Sequence, residues 1–197
     1  SGHRGGSDFT LQFGSWTVQQ EGETTVLKAQ DAVASIDIAI RLTAHRSGVI
    51  AMSTALTNKG DTDYQLDRCM AATFAAPVGT TELTSFTGMW GREFQMRREV
   101  LGNGVWLQEN RRGRTSHDRF PVIFLETAGQ RFGVTLGWSG NHQIVVDRTD
   151  DGKRLIHLGE LFEPGEIVLG PGETYRSPVA YAGQDSAAFH ALDRKST

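Results

Sequence analysis

Ile36-Asp-Ile-Ala-Ile-Arg-Leu-Thr43 alternates without a break: Ile36, Ile38, Ile40 and Leu42 point one way, Asp37, Arg41 and Thr43 the other. A period of two marks a strand in a sheet with one buried face. Before it, Phe9 to Val18 alternates in the same manner, and Gln19-Gln-Glu-Gly22 reads as a turn. After it, a turn at Arg46-Ser-Gly48 leads to Val49–Thr57, Asn58-Lys-Gly-Asp61 closes that run, and Tyr64 to Phe74 alternates again. Three neighbouring antiparallel strands are predicted here.

Shorter strand-like runs follow at Leu83–Phe86, Gly104–Gln108, Val122–Glu126, Phe132–Trp138 and Gln143–Asp147, and Asp150-Asp-Gly-Lys153 is a hairpin signal. Pro164-Gly-Glu and Pro171-Gly-Glu punctuate Ile167–Leu169 and Tyr175, and Ser186–Arg194 is predicted to be a short C-terminal helix. With 23 Gly, 5 Pro and no helical apolar period before that end, the expected fold is an all-β sandwich in a single domain over residues 1–197. A chain of 197 residues with 38% hydrophobic residues can bury a real core.

A formal net charge of -3 argues against nucleic acid, whose affinity rests on clustered Lys and Arg. Cys69 is the single cysteine, so it has no internal disulfide partner. Neither a secretory apolar region nor a membrane-spanning run is present, and a soluble, cytoplasmic setting is expected.

The richest chemistry lies in Arg111-Arg-Gly-Arg-Thr-Ser-His-Asp-Arg-Phe-Pro121, which leads through two strand-like runs to Trp138-Ser-Gly-Asn141. Ser116-His117 supplies a nucleophile and a base, but adjacent side chains on an extended segment face opposite ways. His117, His142 and His157 lack metal-ligand spacing, and no metal or cofactor is expected. No pair stands out among Glu109, Asp118, Glu126, Glu160 and Glu163 as the two carboxylates of a glycosidase. Gly102-Asn-Gly104 and Gly129-Gln-Arg131 do not fit a phosphate loop, because no helix is expected after either. Of Trp16, Trp90, Trp106 and Trp138, the last is the best candidate to stack on a sugar, since Ser139-Gly-Asn141 adds a tight turn and polar groups. Arg92, Arg97, Arg98, Arg111, Arg112, Arg114 and Arg119 are interleaved with Glu93, Glu99, Glu109 and Asp118. The ordinary reading is a salt-bridged, solvated face; the sharper one is a docking surface for an acidic neighbour.

Several segments together resemble one known pattern. These are Gly48-Val-Ile with Leu56-Thr-Asn58-Lys-Gly-Asp61, Thr87-Gly-Met-Trp90-Gly-Arg-Glu93 and Arg112-Gly-Arg-Thr-Ser-His117 with Phe120-Pro121. Phe132-Gly-Val-Thr-Leu-Gly-Trp138-Ser-Gly-Asn141 and Gly170-Pro-Gly-Glu173-Thr-Tyr-Arg-Ser-Pro178 complete the set. In this order and spacing they resemble the N-terminal domain of glycoside hydrolase family 36, the bacterial α-galactosidases or melibiases. The resemblance implies a β-supersandwich, the galactose mutarotase-like fold. It places the two catalytic aspartates in a following (β/α)8 barrel of roughly 250 residues, which this chain lacks.

The resemblance therefore implies a non-catalytic domain, with no catalytic residue of its own, that supports barrel packing and homo-oligomer assembly and borders an α-galactoside pocket. Arg114, His117, Trp138 and Asn141 are its candidates for that border or packing. Gly5-Gly-Ser-Asp8-Phe9 is similar to a Gly-x-Gly-Asp-aromatic motif whose aspartate reaches a neighbouring subunit's galactose pocket, which implies that role for Asp8. The chain departs from the pattern at Thr10, where the family has Arg, and at Arg119-Phe120-Pro121, where it has an Asn-Pro-Phe-like sequence. A free-standing galactoside-binding module and a mutarotase-like epimerase are the alternatives; the epimerase requires a His and a Glu in one cleft.

Overall fold

The computed structural model describes residues 1–7, 10–115 and 117–186, with the side chains of 185 and 186 excepted. In chain order its strands are β1 (Gly2–His3), β2 (Thr17–Glu21), β3 (Thr24–Asp31), β4 (Ile36–Ala44), β5 (Ile50–Asn58) and β6 (Tyr64–Leu66). There follow β7 (Met70–Ala75), β8 (Glu82–Met89), β9 (Arg92–Val100), β10 (Trp106–Asn110), β11 (Asp118–Glu126) and β12 (Gln130–Leu136). The last are β13 (His142–Arg148), β14 (Arg154–Glu160), β15 (Ile167–Leu169), β16 (Thr174–Arg176) and β17 (Ala180–Ser186).

They form a 10-stranded sheet in the order β2-β3-β4-β5-β17-β12-β11-β8-β9, with β16 also on β5. A 4-stranded sheet (β10-β13-β14-β7) and a 3-stranded sheet (β1-β6-β15) complete the fold, and all recorded pairings are antiparallel. The expected all-β architecture is therefore present. Alternation along β11 and β12 sends Ile123, Leu125, Val134 and Leu136 inward against Ile144, Val146, Ile156 and Leu158 of the 4-stranded sheet. Those side chains are almost wholly buried, each worth about 1.5–3 kcal/mol of transfer free energy. A second core joins Ile36 and Leu56 of the large sheet to Tyr64 and Leu66 of the small one, with Phe162 against Tyr175 at a ring separation of 5.2 Å.

Three expectations are corrected. Tyr64–Phe74 is not one strand: it breaks at Asp67-Arg68-Cys69, so that Tyr64 and Leu66 enter one core while Ala71, Ala72 and Phe74 enter the other. Among the described residues of the expected Phe9–Val18 run, only Thr17 and Val18 are strand, while Leu11 and Phe13 pack on the second core from irregular backbone. The turn comes later than Gln19-Gln-Glu, at Gly22-Glu23, where Gly22 takes the left-handed φ of 61°. No helix occurs among the described residues; the expected one over 186–194 lies outside them except for Ser186, which ends β17.

β3, β9 and β17 carry no clear signal in the sequence. Every residue of β9 is exposed, so this edge strand has no buried face to impose an apolar period. The expected hairpin at Asp150-Asp-Gly-Lys153 does join β13 to β14, with Gly152 at φ 82° and its N–H donating to the Thr149 carbonyl at 2.9 Å.

Asp31 secures the turn from β3 to β4. Its carboxylate accepts the N–H groups of Val33 and Ala34 at 2.9 Å and that of Gln12 at 2.6 Å, with only 5% of the residue exposed. The Ala34 N–H, aided by those of Gln12 and Val33 and opposed by burial, holds the Asp31 carboxyl below its ordinary value. A depressed folded-state pKa contributes stability that is present above the unfolded value and lost as pH falls through the folded one. Asp31→Asn is expected to lower urea stability at about pH 7 by about 1–3 kcal/mol, with the deficit narrowing toward about pH 3. A deficit independent of pH would show that the charge is irrelevant.

Candidate functional site

The loop from β10 to β11 holds the arginine-rich stretch, and the last residue of β10 organises it. Asn110 is 0% exposed, and the two hydrogens of its Nδ2 are shared among the carbonyls of Arg114 (3.1 Å), His117 (2.8 Å) and Arg119 (2.6 Å). Its Oδ1 accepts the Arg112 N–H at 2.8 Å. One buried amide thus satisfies backbone groups along the whole loop, which lets an irregular segment sit against a sheet. From the other side, Asn141 Oδ1 accepts the N–H of Gly113, which turns at φ 64°. Below the loop, Gln108 Nε2 donates to the Phe120 carbonyl at 2.6 Å.

Asn110 is one end of a polar row across three strands, because it pairs in register with His142, and His142 with Glu160. His142 is 0% exposed, with Nδ1 3.1 Å from the Gly140 carbonyl, so Nδ1 carries the proton. Burial pushes its pKa down, and the ring is neutral near pH 7. Burial pushes the Glu160 carboxyl up, against the Tyr175 hydroxyl that donates to it at 2.8 Å. The His142–Glu160 pair is therefore closed: its ring is sealed from solvent and its carboxylate is engaged, which is not the open His–Glu cleft an epimerase needs.

Arg114 and His117 line a cavity of about 490 Å³ with Gly88, Met89, Arg112 and Asp118. Asn141 acts on the same loop, through Gly113, without lining that cavity. Trp138 is not a lining residue either; it is 38% exposed beyond β12, with its indole against Gly140. A Cβ on Gly140 would come within 2.6 Å of the indole Nε1, so a side chain there would displace the indole from its present position. Asp8 and Ser116 lie outside the described residues. Among the described residues, no group of three His, Cys, Asp or Glu is placed to hold a metal ion, and no helix is long and apolar enough to cross a membrane.

Sequence reasoning missed Asn110 and Gln108. The only available signal was an amide at the last strand position before a loop without Gly-Asp or Asn-Gly chemistry. Asn110→Ala is expected to cost about 2–4 kcal/mol in urea unfolding and to speed hydrogen exchange at the Arg112 amide, because three carbonyls and one N–H lose their partner. Asn141→Ala, which releases one exposed bond, should cost less than about 1 kcal/mol; equal losses would refute the hub role of Asn110.

Comparison with known proteins extends these observations. A family profile described as the glycosyl hydrolase family 36 N-terminal domain matches residues 7–170. An α-galactosidase of Escherichia coli is 34% identical over 200 residues, covering 98% of this chain and 28% of the relative. A solved α-galactosidase of that family, AgaA from Geobacillus stearothermophilus in complex with raffinose, superposes with a TM-score of 0.75 at 26% identity. It covers 88% of this chain and 26% of that one. The Lactobacillus brevis α-galactosidase, at 22% identity and a TM-score of 0.78 over 93% of this chain and 28% of its own, shares the fold. The chain thus spans about a quarter of the length of these relatives. It belongs to the glycosyl hydrolase family 36 N-terminal domain family.

Proposed function

We propose that this chain is the non-catalytic N-terminal domain of a longer retaining α-galactosidase that hydrolyses terminal α-linked galactose. In that setting it packs on a catalytic (β/α)8 barrel, helps to assemble a homo-oligomer and borders the substrate pocket. The observation that carries this reading is the asymmetry of coverage: nearly all of the chain aligns with 28% of an α-galactosidase. Retaining hydrolysis needs a nucleophile and an acid/base carboxyl about 5–5.5 Å apart. The carboxylates first considered for that work have other partners: Glu109 and Glu163 both bind Arg111, Glu126 binds Arg131, and Glu160 accepts from Tyr175. Asp118 stands 3.9 Å from Arg112. A reducing, cytoplasmic setting belongs to the same reading, in keeping with the single cysteine, Cys69.

A free-standing galactoside-binding module is the second reading, favoured by the part-exposed indole of Trp138. Two measurements separate the cases. With an aryl α-galactoside, this chain alone should show no turnover above buffer, and turnover that survives repurification would overturn the non-catalytic assignment. Galactose at millimolar concentration should leave the tryptophan indole NMR signals unmoved; a saturable shift abolished by Trp138→Ala would instead establish the module.

A further inference from the structure

The interleaved charges of residues 92–119 neutralise one another only in part. Glu93 Oε1 is taken by the Gly91 N–H at 3.0 Å, Glu99 Oε2 by the Trp106 indole at 3.1 Å, and Glu109 by Arg111 at 3.1 Å. Arg111 also reaches Glu163 at 3.0 Å, so part of the salt-bridged face expected from the sequence is built around this arginine. The cavity beside the loop adjoins a second, of about 380 Å³, that shares Gly88, Met89 and Asp118 with it. Together they are lined by Arg92, Arg97, Arg112, Arg114 and Arg119, with Asp118 as the single carboxylate.

Among the described residues Arg92, Arg97 and Arg114 make no ion pair, Arg112 reaches Asp118 only at 3.9 Å, and the buried Nη1 of Arg119 has no hydrogen-bond partner. A buried guanidinium nitrogen without an acceptor is costly, and five arginines facing one carboxylate leave a strongly positive cleft. Two non-glycine residues in the left-handed region border it, Phe94 at φ 58° and Asp118 at φ 66°. Such conformations persist only where surrounding contacts impose them. Phe94 is fixed by a stacked Phe86 ring at 4.2 Å and an edge-on Phe120 ring at 4.9 Å, which keep the strand beside the cleft rigid. The rim is apolar and open: Trp90 is 87% exposed, and Met89, Phe94 and Met96 are each more than half exposed.

The geometry points to a docking site for a polypeptide segment that presents carboxylates flanked by apolar side chains. The carboxylates enter between the β8–β9 hairpin and the β10–β11 loop, where Arg112, Arg114 and Arg119 receive them in charge-assisted, fork-shaped hydrogen bonds. The apolar side chains of the partner cover Met89, Trp90 and Met96. Arginine, tryptophan and methionine are the residue types enriched at protein interfaces, and a bare anion would leave this rim exposed. The site stands on its own geometry and does not depend on the parent enzyme proposed above.

The test titrates this chain with a peptide of alternating Glu and Phe, with its Gln and Phe counterpart and with inorganic phosphate, following indole and arginine Nε–Hε signals by NMR. Saturable shifts at Trp90 and Arg119 are expected with the acidic peptide, falling with added salt and weakened at least about tenfold by combined Arg112→Glu and Arg114→Glu. Both arginines are exposed, and unchanged thermal unfolding of the double variant verifies its fold. Arg46→Glu, in the β4–β5 turn, should leave binding unchanged. The proposal is overturned if the Gln peptide binds equally, if phosphate saturates the same signals with equal affinity, if the double charge reversal has no effect, or if no shift occurs at millimolar peptide.

Discussion

The constraint on which this fold depends is that one large sheet must cover two separate cores. Its β8, β11, β12 and β17 portion closes over the 4-stranded sheet, and its β4 and β5 portion over the 3-stranded one. A sheet that buries one face needs period-two apolar patterning on every central strand, and a one-residue slip would turn that patterning out to water. Asn58 fixes the register where chain ends and turns converge on the second core. Its Oδ1 accepts from Arg4 Nη2 at 2.6 Å and from the Gly60 N–H at 2.9 Å, while Nδ2 donates to the carbonyls of Thr62 and Leu169 at 2.8 Å. Asn58 and Asn110 do the same work at different corners: each is a fully buried amide at the end of a strand that satisfies the backbone of the loop beside it.

That repeated device explains why polar loops can lie so close to apolar cores. Buried amides cost little when every lone pair and hydrogen is used, and much when one is not. The row from Asn110 through His142 to Glu160 and Tyr175 runs along the 4-stranded sheet and into the second core, and there the buried Nε2 of His142 has no hydrogen-bond partner. The neutral imidazole in the middle avoids a buried charge. The chemistry of the domain is thereby displaced outward, to the arginines and aromatic side chains at one corner.

Much of this was readable from residue order. Alternation at Ile36–Thr43 and the run at Gln143–Asp147 became β4 and β13, which carry buried side chains, while the exposed hairpin at Asp150–Lys153 was readable from its turn chemistry, with Gly152 at a left-handed φ. Edge strands were not readable, since β2 and β9 are exposed along their whole length and obey no burial pattern. Tyr64–Phe74 misled for the opposite reason: two short strands, each facing a different core, produce one continuous apolar run. At the site, residue type singled out the arginine loop, but its organising amide did not stand out. Asn110 differs from any surface asparagine only in what surrounds it, which is set by β13 more than thirty residues later.

β17 has a consequence for how the domain is made. It is the latest strand in sequence among those described, yet it sits mid-sheet, with Ala180–Ala182 on β5 and Ala180–Ser186 on β12. On a ribosome, the pieces either side of it emerge long before the strand that joins them. Synthesis at about 5–20 residues per second leaves β5 and β12 with open edges for several seconds. Such edges pair readily with other chains. The nascent domain is therefore most exposed to misassembly before residue 180, and closure of the large sheet is a late, non-local and correspondingly slow event.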